Sequence, residues 1–405
     1  MRWYYRCPVC GARYALEPGR YLCDKCAAKR KPDRPLEGVL ECEWEEADAA
    51  LAAAERIPLP VESEYFPHIP VGNTPLWEPE RIRRELGLRH LFIKDDTCEP
   101  TGSFKDRASW LVAAFAKKFG LSEIVLASTG NAASSMSGIG AAAGIKVTVF
   151  LPEKAPAAKR IQVLQYGADL HQVAGTYDVA YEESLAYSAK AKGALSRNTA
   201  YNPLTIEGKK TVSFEIAEQL SGARKALAGP VPAQPAAVQR SWEAPDEVFV
   251  PVGDGVIIAG VYKGFEDLLK LGRISKMPRI WACQARGSSA IARALKAGSF
   301  GEPVASDTIA DSISVDVPRN GAYALAKLQK YGGRAVVVDD SEILAAQHEL
   351  ASKAGLFAEP SSSAAYAGLI KARSEIDAEA KVVVLITGSG LKDIKSAAGG
   401  VGVSL

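Results

Sequence analysis

The alternation of strands and helices constrains the fold of this chain more than any other sequence feature. Residues 123–128 have the composition of a buried strand, residues 132–143 that of a helix, and residues 146–151 that of a second strand. A unit of about thirty residues is long enough for a helical crossover, so it predicts two parallel strands in one sheet.

The same alternation continues on both sides of this unit and argues for doubly wound α/β sheets. A short strand is predicted at residues 91–94, and residues 229–235, rich in proline and alanine, are predicted to be a surface excursion. The further predicted strands are residues 169–173, 247–252, 279–284, 334–338 and 381–386, and the further predicted helices are residues 157–166, 178–192, about 253–271 and 341–354.

Composition places the chain among ordinary globular proteins. It has 405 residues, of which 47% are apolar and 24% charged, and this length allows two or three domains. The net charge of +2 gives no general attraction to nucleic acids or membranes. Because the sequence also lacks a membrane span and a signal-peptide core, we expect a cytoplasmic protein with no nucleic-acid and no membrane partner.

Four of the seven cysteines lie in the first 26 residues as two Cys-x-x-Cys pairs, with twelve residues between the pairs. Two such knuckles can place four thiolates at the corners of a tetrahedron, which suits a structural zinc ion. A ribbon with free thiols and a cage for a single iron are the alternatives. We predict a separate module at residues 1–43 with the zinc ligands Cys7, Cys10, Cys23 and Cys26.

Residues 99–107, with the sequence EPTGSFKDR, place one lysine at the start of a predicted helix. Ser103 followed by Asp106 is the pattern of a capping box, so the helix is expected to begin at about Ser103. Lys105 would then lie in the first turn, where the positive end of the helix dipole disfavours a cation. The neutral amine is easier to reach there, and a Schiff-base lysine must be neutral.

Three loops that follow predicted strands carry residues suited to ligand binding. Ligands of open α/β sheets bind beyond the carboxyl ends of the strands, where all three loops lie. Residues 128–131 and 253–257 each lead into a predicted helix, whose first N–H groups can hold a carboxylate or a phosphate. The third loop, residues 387–393, follows the last predicted strand.

The nonapeptide resembles the cofactor-lysine segment of the threonine synthase family, whose members use pyridoxal 5'-phosphate (PLP) and have fold type II. Only Glu99 departs from the family pattern, which has asparagine at this position. Residues 72–76 resemble the family's entry segment, and the three loops follow in the family's order up to residue 393. The resemblance therefore covers most of the chain.

The resemblance implies an α/β fold with two doubly wound three-layer domains of PLP fold type II and an N-terminal four-cysteine zinc-ribbon-like module. The implied domains are the zinc-ribbon-like module at 1–43, a large PLP-binding domain at 44–115 and 204–405, and a small mobile α/β domain at 116–203. A homodimer is also implied, because members of this family are usually dimers.

The resemblance also implies a role for individual residues. Lys105 would form a Schiff base with PLP, release it to the amino group of the substrate, and then move protons at the α and β carbons. Asn131 would bond the phenolic oxygen of PLP, and Thr387 would face its pyridine nitrogen. The residues implied to bind the cofactor are Lys105, Phe104, Asn131, Gly253, Asp254, Gly255, Val256, Ile257 and Thr387.

The implied enzyme is a carbon–oxygen lyase that converts O-phosphohomoserine and water to threonine and phosphate in threonine biosynthesis. Leu204 and Ala132 depart from the family's phosphate site, which usually has arginine and threonine there. The alternative is therefore β-elimination or β-replacement on serine, threonine, phosphoserine or diaminopropionate, and a third hypothesis is a ribbon protein with a degenerate, inactive fold. The residues expected to hold the amino-acid substrate are Lys94, Ser128, Thr129, Asn198 and Thr199.

Overall fold

A computed structural model describes residues 1–29, 31, 33–45, 57–153, 157–222 and 242–403 of the chain. The excursion predicted at residues 229–235 lies outside these residues. Three sheets organise the described part: a small antiparallel sheet at the N-terminus and two larger sheets built mostly from parallel strands. The predicted parallel α/β architecture is confirmed.

The predicted strands are present close to their predicted positions, whereas the sequence analysis did not predict the strands Trp3–Arg6, Arg13–Ala15, Glu41–Trp44, Leu76–Trp77 and Ala194–Ser196. Predicted and observed bounds agree for residues 169–173, 334–338 and 381–386. In chain order the strands are β1 (Trp3–Arg6), β2 (Arg13–Ala15), β3 (Glu41–Trp44), β4 (Leu76–Trp77), β5 (His90–Asp95), β6 (Glu123–Ala127), β7 (Lys146–Pro152), β8 (Asp169–Val173), β9 (Ala194–Ser196), β10 (Glu247–Pro251), β11 (Arg279–Ala285), β12 (Arg334–Val338) and β13 (Lys381–Ile386).

Helices cover both faces of the two larger sheets. Short 3-10 turns occur as well, two of them at Asp96–Cys98 and Asp311–Ile313. The α-helices are α1 (Asp24–Ala27), α2 (Glu80–Leu86), α3 (Lys105–Lys118), α4 (Asn131–Ala143), α5 (Ala157–Gln165), α6 (Tyr177–Lys190), α7 (Leu204–Lys209), α8 (Thr211–Leu220), α9 (Val256–Lys270), α10 (Ala290–Ala297), α11 (Gly321–Lys330), α12 (Asp340–Ala354), α13 (Pro360–Ala372) and α14 (Ile394–Gly400).

The order of the strands determines which loops meet. The four-stranded sheet has the order β8-β7-β6-β9 and is parallel throughout. The six-stranded sheet has the order β12-β11-β10-β13-β5-β4, and only the short edge strand β4 is antiparallel to its neighbour. Because β5 pairs with β13 in parallel, the loop that leads to Lys105 lies beside the loop that begins with Thr387.

Burial explains why these segments form strands in the interior. Strands β6 and β10 are buried along their whole length, as expected for parallel strands with helices on both faces. Helix α3 crosses between the sheets and packs against α4 and α7. Ten of its fourteen residues are buried, so the segment that carries Lys105 is held firmly in the core.

The start of helix α3 differs from the prediction. The helix begins at Lys105, and the Asp106 carboxylate accepts hydrogen bonds from the Thr101 N–H at 2.7 Å and the Thr101 hydroxyl at 2.6 Å. Ser103 Oγ has no hydrogen-bond partner among the described residues. The predicted capping box is therefore wrong, because Asp106 closes the preceding loop instead. Lys105 nevertheless lies in the first turn of the helix.

The N-terminal sheet packs directly on the rest of the protein. The Glu43 carboxylate accepts from Lys263 Nζ at 3.1 Å and from Lys270 Nζ at 2.9 Å, both on α9. The Leu36 N–H donates to the carbonyl of Arg319 at 2.8 Å. These contacts join the ribbon to the helix and the loop that flank residues 253–257.

We keep the predicted division into domains as a proposal. The four-stranded sheet falls within residues 116–203, and the six-stranded sheet falls within residues 44–115 and 204–405. The N-terminal sheet ends at Trp44, one residue beyond the predicted module. Among the described residues, no helix combines the length and the apolar character that a membrane crossing requires.

Candidate active site

The loop before Lys105 is tied to the loop after β13. The Phe104 N–H donates to the Thr387 carbonyl at 2.9 Å, and the Ser389 N–H donates to the Gly102 carbonyl at 3.0 Å. Phe104 is fully buried beneath this junction. The loops after β5 and β13 are therefore joined by hydrogen bonds immediately before Lys105.

The Lys105 amine has the properties that a carbonyl-binding lysine needs. Its side chain is half-buried, and its Nζ makes no hydrogen bond to any residue in the described part of the chain. Burial lowers the pKa of Lys105; Glu359 opposes this shift, and the charge of Arg197 adds to it. A larger fraction of neutral amine is therefore available than on an exposed lysine.

Asn131 is brought to the site by the loop after β6. Its Nδ2 donates to both carboxylate oxygens of Glu359 at 3.0 Å. Burial raises the pKa of Glu359, although the Asn131 hydrogen bond opposes that shift. Gly388 makes this approach possible, since a Cβ there would lie 2.5 Å from Glu359 Oε1. Because the charge of Glu359 also acts on Lys105, this contact places the amide of Asn131 in the neighbourhood of the lysine.

Sequence reasoning missed Glu359. Proline at the first helical position predicts the start of α13 at Pro360, with Glu359 just before it. Nothing local places that glutamate near Lys105, however, because Asn131 and Glu359 are 228 residues apart in the chain.

The loop at residues 253–257 forms a helix N-terminus suited to phosphate. Gly255 has a φ of 84° immediately before α9, a conformation that glycine adopts easily, and a Cβ at Gly253 would lie 2.7 Å from Ile313 Cα. The Asp254 carboxylate accepts from the backbone N–H of Arg319 at 3.1 Å. Its negative charge is thus engaged by a neighbouring loop, while the amides of residues such as Val256 and Ile257 at the helix start can hold an anion.

Thr387 forms a hydroxyl pair with Ser362, a second residue that sequence reasoning missed. The two hydroxyl oxygens are 2.9 Å apart, and the Thr387 N–H donates to Ser362 Oγ at 3.0 Å. Both side chains are buried. A neutral hydroxyl pair at this strand end would leave a pyridine nitrogen unprotonated.

Ser128 and Thr129 form the turn at the start of α4. Ser128 Oγ accepts from the N–H groups of Gly130 at 3.2 Å and Ala133 at 3.3 Å. The Ser128 hydroxyl can still donate one hydrogen bond, and the first N–H groups of a helix lack helical partners, so a carboxylate could complete the hydrogen bonds of this helix start.

The other predicted substrate residues are already engaged within the protein. Lys94 Nζ donates to the Thr74 carbonyl at 2.7 Å, to Glu215 at 2.7 Å and to Gln219 at 2.9 Å, which uses all three of its donors. The Asn198 amide bridges Ala127 and Ser184. We therefore do not carry Lys94 and Asn198 forward as substrate-binding residues. Thr199 is half-buried and accepts from Arg197.

A buried ion cluster centred on Arg107 lies at the start of helix α3, two residues after Lys105. Arg107 donates to Asp96 at 2.6 Å and to Glu215 at 2.7 Å, and it lies 3.3 Å from Glu99. Burial, together with the charge of Asp96, raises the pKa of Glu99 to about 8. The positive charge of Arg107 opposes this shift, so Glu99 remains part of the ion cluster as a carboxyl that is protonated more easily than an exposed one.

The four N-terminal cysteines converge as the sequence predicts. Their Sγ atoms all lie within 4.8 Å of one another, and three of the four side chains are buried. Gly38, with a φ of 75°, passes so close that a Cβ there would lie 2.9 Å from the Ala27 nitrogen. Four thiolates at this separation fit a tetrahedral metal site.

Tyr21, close to this cluster in the chain, contacts the four-stranded sheet. The Tyr21 hydroxyl accepts from the Ser196 N–H at 2.9 Å, and the Tyr21 ring lies 4.7 Å from that of Tyr201. The ribbon therefore contacts β9 and the segment that follows it.

The chain is similar to known enzymes over most of its length. The model of a family described as pyridoxal-phosphate-dependent enzymes matches residues 69–388. The threonine synthase of Methanosarcina acetivorans is 32% identical over 96% of this chain and 92% of its own length. That of Methanocaldococcus jannaschii is 33% identical over the same shares. That of Halalkalibacterium halodurans is 35% identical over 80% of this chain and 84% of its own length.

Solved structures extend the similarity to the fold. A processed threonine deaminase from Solanum lycopersicum has a TM-score of 0.67 at 20% identity, covering 95% of this chain and 97% of that one. Maize serine racemase has a TM-score of 0.62 at 23% identity, covering 79% of this chain and 88% of that one. At these identities the match concerns the fold alone, and it confirms the predicted α/β architecture of fold type II.

Proposed function

The chain belongs to the family of pyridoxal-phosphate-dependent enzymes, and from this premise we propose that it is a threonine synthase, a lyase that converts O-phosphohomoserine and water to threonine and phosphate. The similarity to threonine synthases over nearly the whole chain carries this proposal. The geometry around Lys105 supports it, since the unbonded amine lies within the electrostatic reach of Glu359, which the Asn131 amide bonds, and of Asp254, in the glycine-containing loop before α9.

The residues of the cleft fit PLP. When bound, PLP draws electrons from the amino acid and so makes its α and β protons removable. We propose that Lys105 holds the cofactor, that Phe104, Asn131 and Thr387 orient its ring, and that residues 253–257, with Asp254 turned aside, seat its phosphate. The Lys105 amine would take and return protons at the α and β carbons of the substrate.

Two further residues orient the substrate in this proposal. Ser128 and Thr129 would bind the substrate carboxylate at the start of α4, because the N–H groups there lack helical partners. A carboxylate held at this point would lie at the carboxyl end of β6, next to the end of its neighbouring strand β9.

The proposal is tested by assaying the purified PLP-bound protein with several amino acids. We expect O-phosphohomoserine to release inorganic phosphate and threonine in equal amounts, and serine and threonine to yield no keto acid. Release of a keto acid from serine or threonine without phosphate release from O-phosphohomoserine would instead show an elimination enzyme.

We further propose that Cys7, Cys10, Cys23 and Cys26 hold a structural zinc ion. The support is the convergence of four sulfur atoms in a closed site with no place for a substrate. A homodimer in the cytoplasm also belongs to the proposal, on the basis of the resemblance to this enzyme family.

The zinc site leads to a testable prediction. Cys10→Ser should lower the metal content from one zinc per chain to nearly none, because three remaining thiolates hold zinc much more weakly. Elemental analysis of the purified protein measures this loss. Cys98→Ser is the matched control, since Cys98 is exposed and lies outside the cluster. Equal zinc content in the two variants would contradict the assignment.

A further inference from the structure

The buried lysine and arginine side chains of this protein fall into two groups, according to whether a carboxylate lies close to them. Among the residues that the structure describes, five of them form ion pairs with buried or half-buried carboxylates, and two have no carboxylate within 4.0 Å. The paired cations are Lys94, Arg107, Lys210, Lys263 and Lys327. The two without a carboxylate are Arg197 and Lys209.

Arg197 is fully buried directly after β9. Its guanidinium donates only to hydroxyl groups, to Thr199 Oγ1 at 2.6 Å and to Ser109 Oγ at 3.4 Å. Its Nε has no hydrogen-bond partner among the described residues. A buried guanidinium with an unused donor is costly unless an anion completes it.

Lys209, at the end of α7, also has hydrogen-bond donors without partners among the described residues. It is fully buried, and its Nζ makes one hydrogen bond, to the Thr205 carbonyl of its own helix at 2.8 Å. Burial, then the charges of Arg197 and Lys105, lower its pKa well below the usual value. Two of its three donors therefore have no partner in the described part of the chain.

Both cations lie beside helix α3, which carries Lys105, because Arg197 donates to Ser109 of that helix and Lys209 is on α7, which packs against it. The charge of Arg197 acts on both Lys105 and Lys209, and the charge of Asp254, in the loop before α9, also reaches Lys209. The negative charges of Asp106 and Asp254 oppose the lowering of the pKa of Arg197 and of Lys209, respectively, but no carboxylate of the described residues lies within 4.0 Å of either cation. An anionic ligand would therefore complete their unused hydrogen-bond donors.

We propose that Arg197 and Lys209 together bind the phosphate monoester group of the substrate. Strand β9 is the direct neighbour of β6, and the Arg197 N–H donates to the Val125 carbonyl at 2.8 Å. Adjacent strands are separated by about 4.8 Å. An amino acid whose carboxylate lies at the end of β6 can therefore place a phosphate on its side chain next to Arg197.

This inference rests on the proposed function for the identity of the compound that carries the phosphate. It assigns a cationic phosphate site to residues other than Leu204 and Ala132, the two positions that depart from the family pattern. An arginine fork and an ammonium group together suit a phosphate dianion, because each supplies charge-assisted hydrogen bonds.

The experiment measures phosphate binding separately from turnover. Inorganic phosphate is titrated into the PLP-bound protein and into the variants Arg197→Gln and Lys209→Met. We expect the dissociation constant of phosphate and the KM for O-phosphohomoserine to rise by roughly 10- to 100-fold in each variant. The affinity for PLP should stay unchanged. Lys146→Gln is the control, because Lys146 is an exposed lysine already paired with Glu123.

Thermal stability separates a binding role from a structural one. Without phosphate, Lys209→Met should unfold at the same temperature as the wild type or higher, because an unpaired buried charge is removed. Added phosphate should stabilise the wild type more than the variant. A large loss of stability in Lys209→Met without phosphate would instead indicate a structural lysine and overturn the inference.

The remaining outcomes distinguish the inference from the proposed function. If PLP affinity falls in both variants while phosphate binding is kept, the pair serves the cofactor phosphate and the inference is wrong. Turnover of O-phosphohomoserine with an unchanged KM in both variants also overturns the inference but leaves the proposed function intact. Phosphate binding that depends on both residues, without turnover of O-phosphohomoserine, supports the anion site and contradicts the proposed function.

Discussion

Replacing Lys105 with alanine is expected to lower the rate of threonine formation by roughly 10³-fold or more, because the variant loses its attachment to the cofactor and its proton-transfer group together. Helix α3 should still form, since alanine favours helices and ten other residues of the helix are buried. The substitution therefore removes chemistry without removing the fold.

Two measurements check this result. The rate of phosphate release from O-phosphohomoserine gives the activity, and mass spectrometry after borohydride reduction locates the cofactor on the peptide that contains Lys105. Lys117→Ala, an exposed lysine on the same helix, should retain both signals. Recovery of the cofactor on a different lysine would contradict the role proposed for Lys105.

The strands could be predicted from the sequence because their pattern is local. Parallel strands such as β12 and β13 are short, mostly apolar runs between helices, and their bounds follow from composition alone. The four-cysteine cluster was predictable for a related reason, since two short knuckles leave few arrangements for their thiols.

Contacts between distant segments could not be predicted in this way. The capping pattern at Ser103 and Asp106 misled because Thr101 competes for the same carboxylate. Lys94 was assigned to the substrate because it precedes the cofactor-lysine loop, whereas its amine is used by Glu215 on helix α8. The direction of a long side chain depends on such tertiary partners, which periodicity does not reveal.

Charge balance reveals what motifs cannot. Arg197 and Lys209 match no motif, and they stand out only when each buried cation is compared with the carboxylates around it. Glu99 is a second example, since burial raises its pKa and thereby makes the neutral form of this glutamate easier to reach within the ion cluster. The electrostatics of the folded protein therefore assigns roles that residue identity alone leaves open.

The ion cluster around Arg107 should dominate the stability of the region beneath the cofactor. Arg107→Met keeps most of the side-chain volume but leaves Asp96 and Glu215 with only part of their hydrogen bonds, and Lys94 alone to balance two carboxylates. Removing one partner of a buried ion pair typically destabilises a protein by about 3–5 kcal/mol. Thermal and urea unfolding of the PLP-bound protein would measure the loss.

Arg81→Met provides the matched comparison, because it breaks an exposed ion pair with Glu85 on α2. Surface pairs of this kind contribute less than about 1 kcal/mol, so this variant should unfold close to the wild type. Equal stability of the two variants would mean that the cluster exchanges its partners freely. A large difference would instead show that Arg107, two residues after Lys105, stabilises the start of helix α3. The position of the cofactor lysine would then depend on a buried charge network that takes no part in the chemistry.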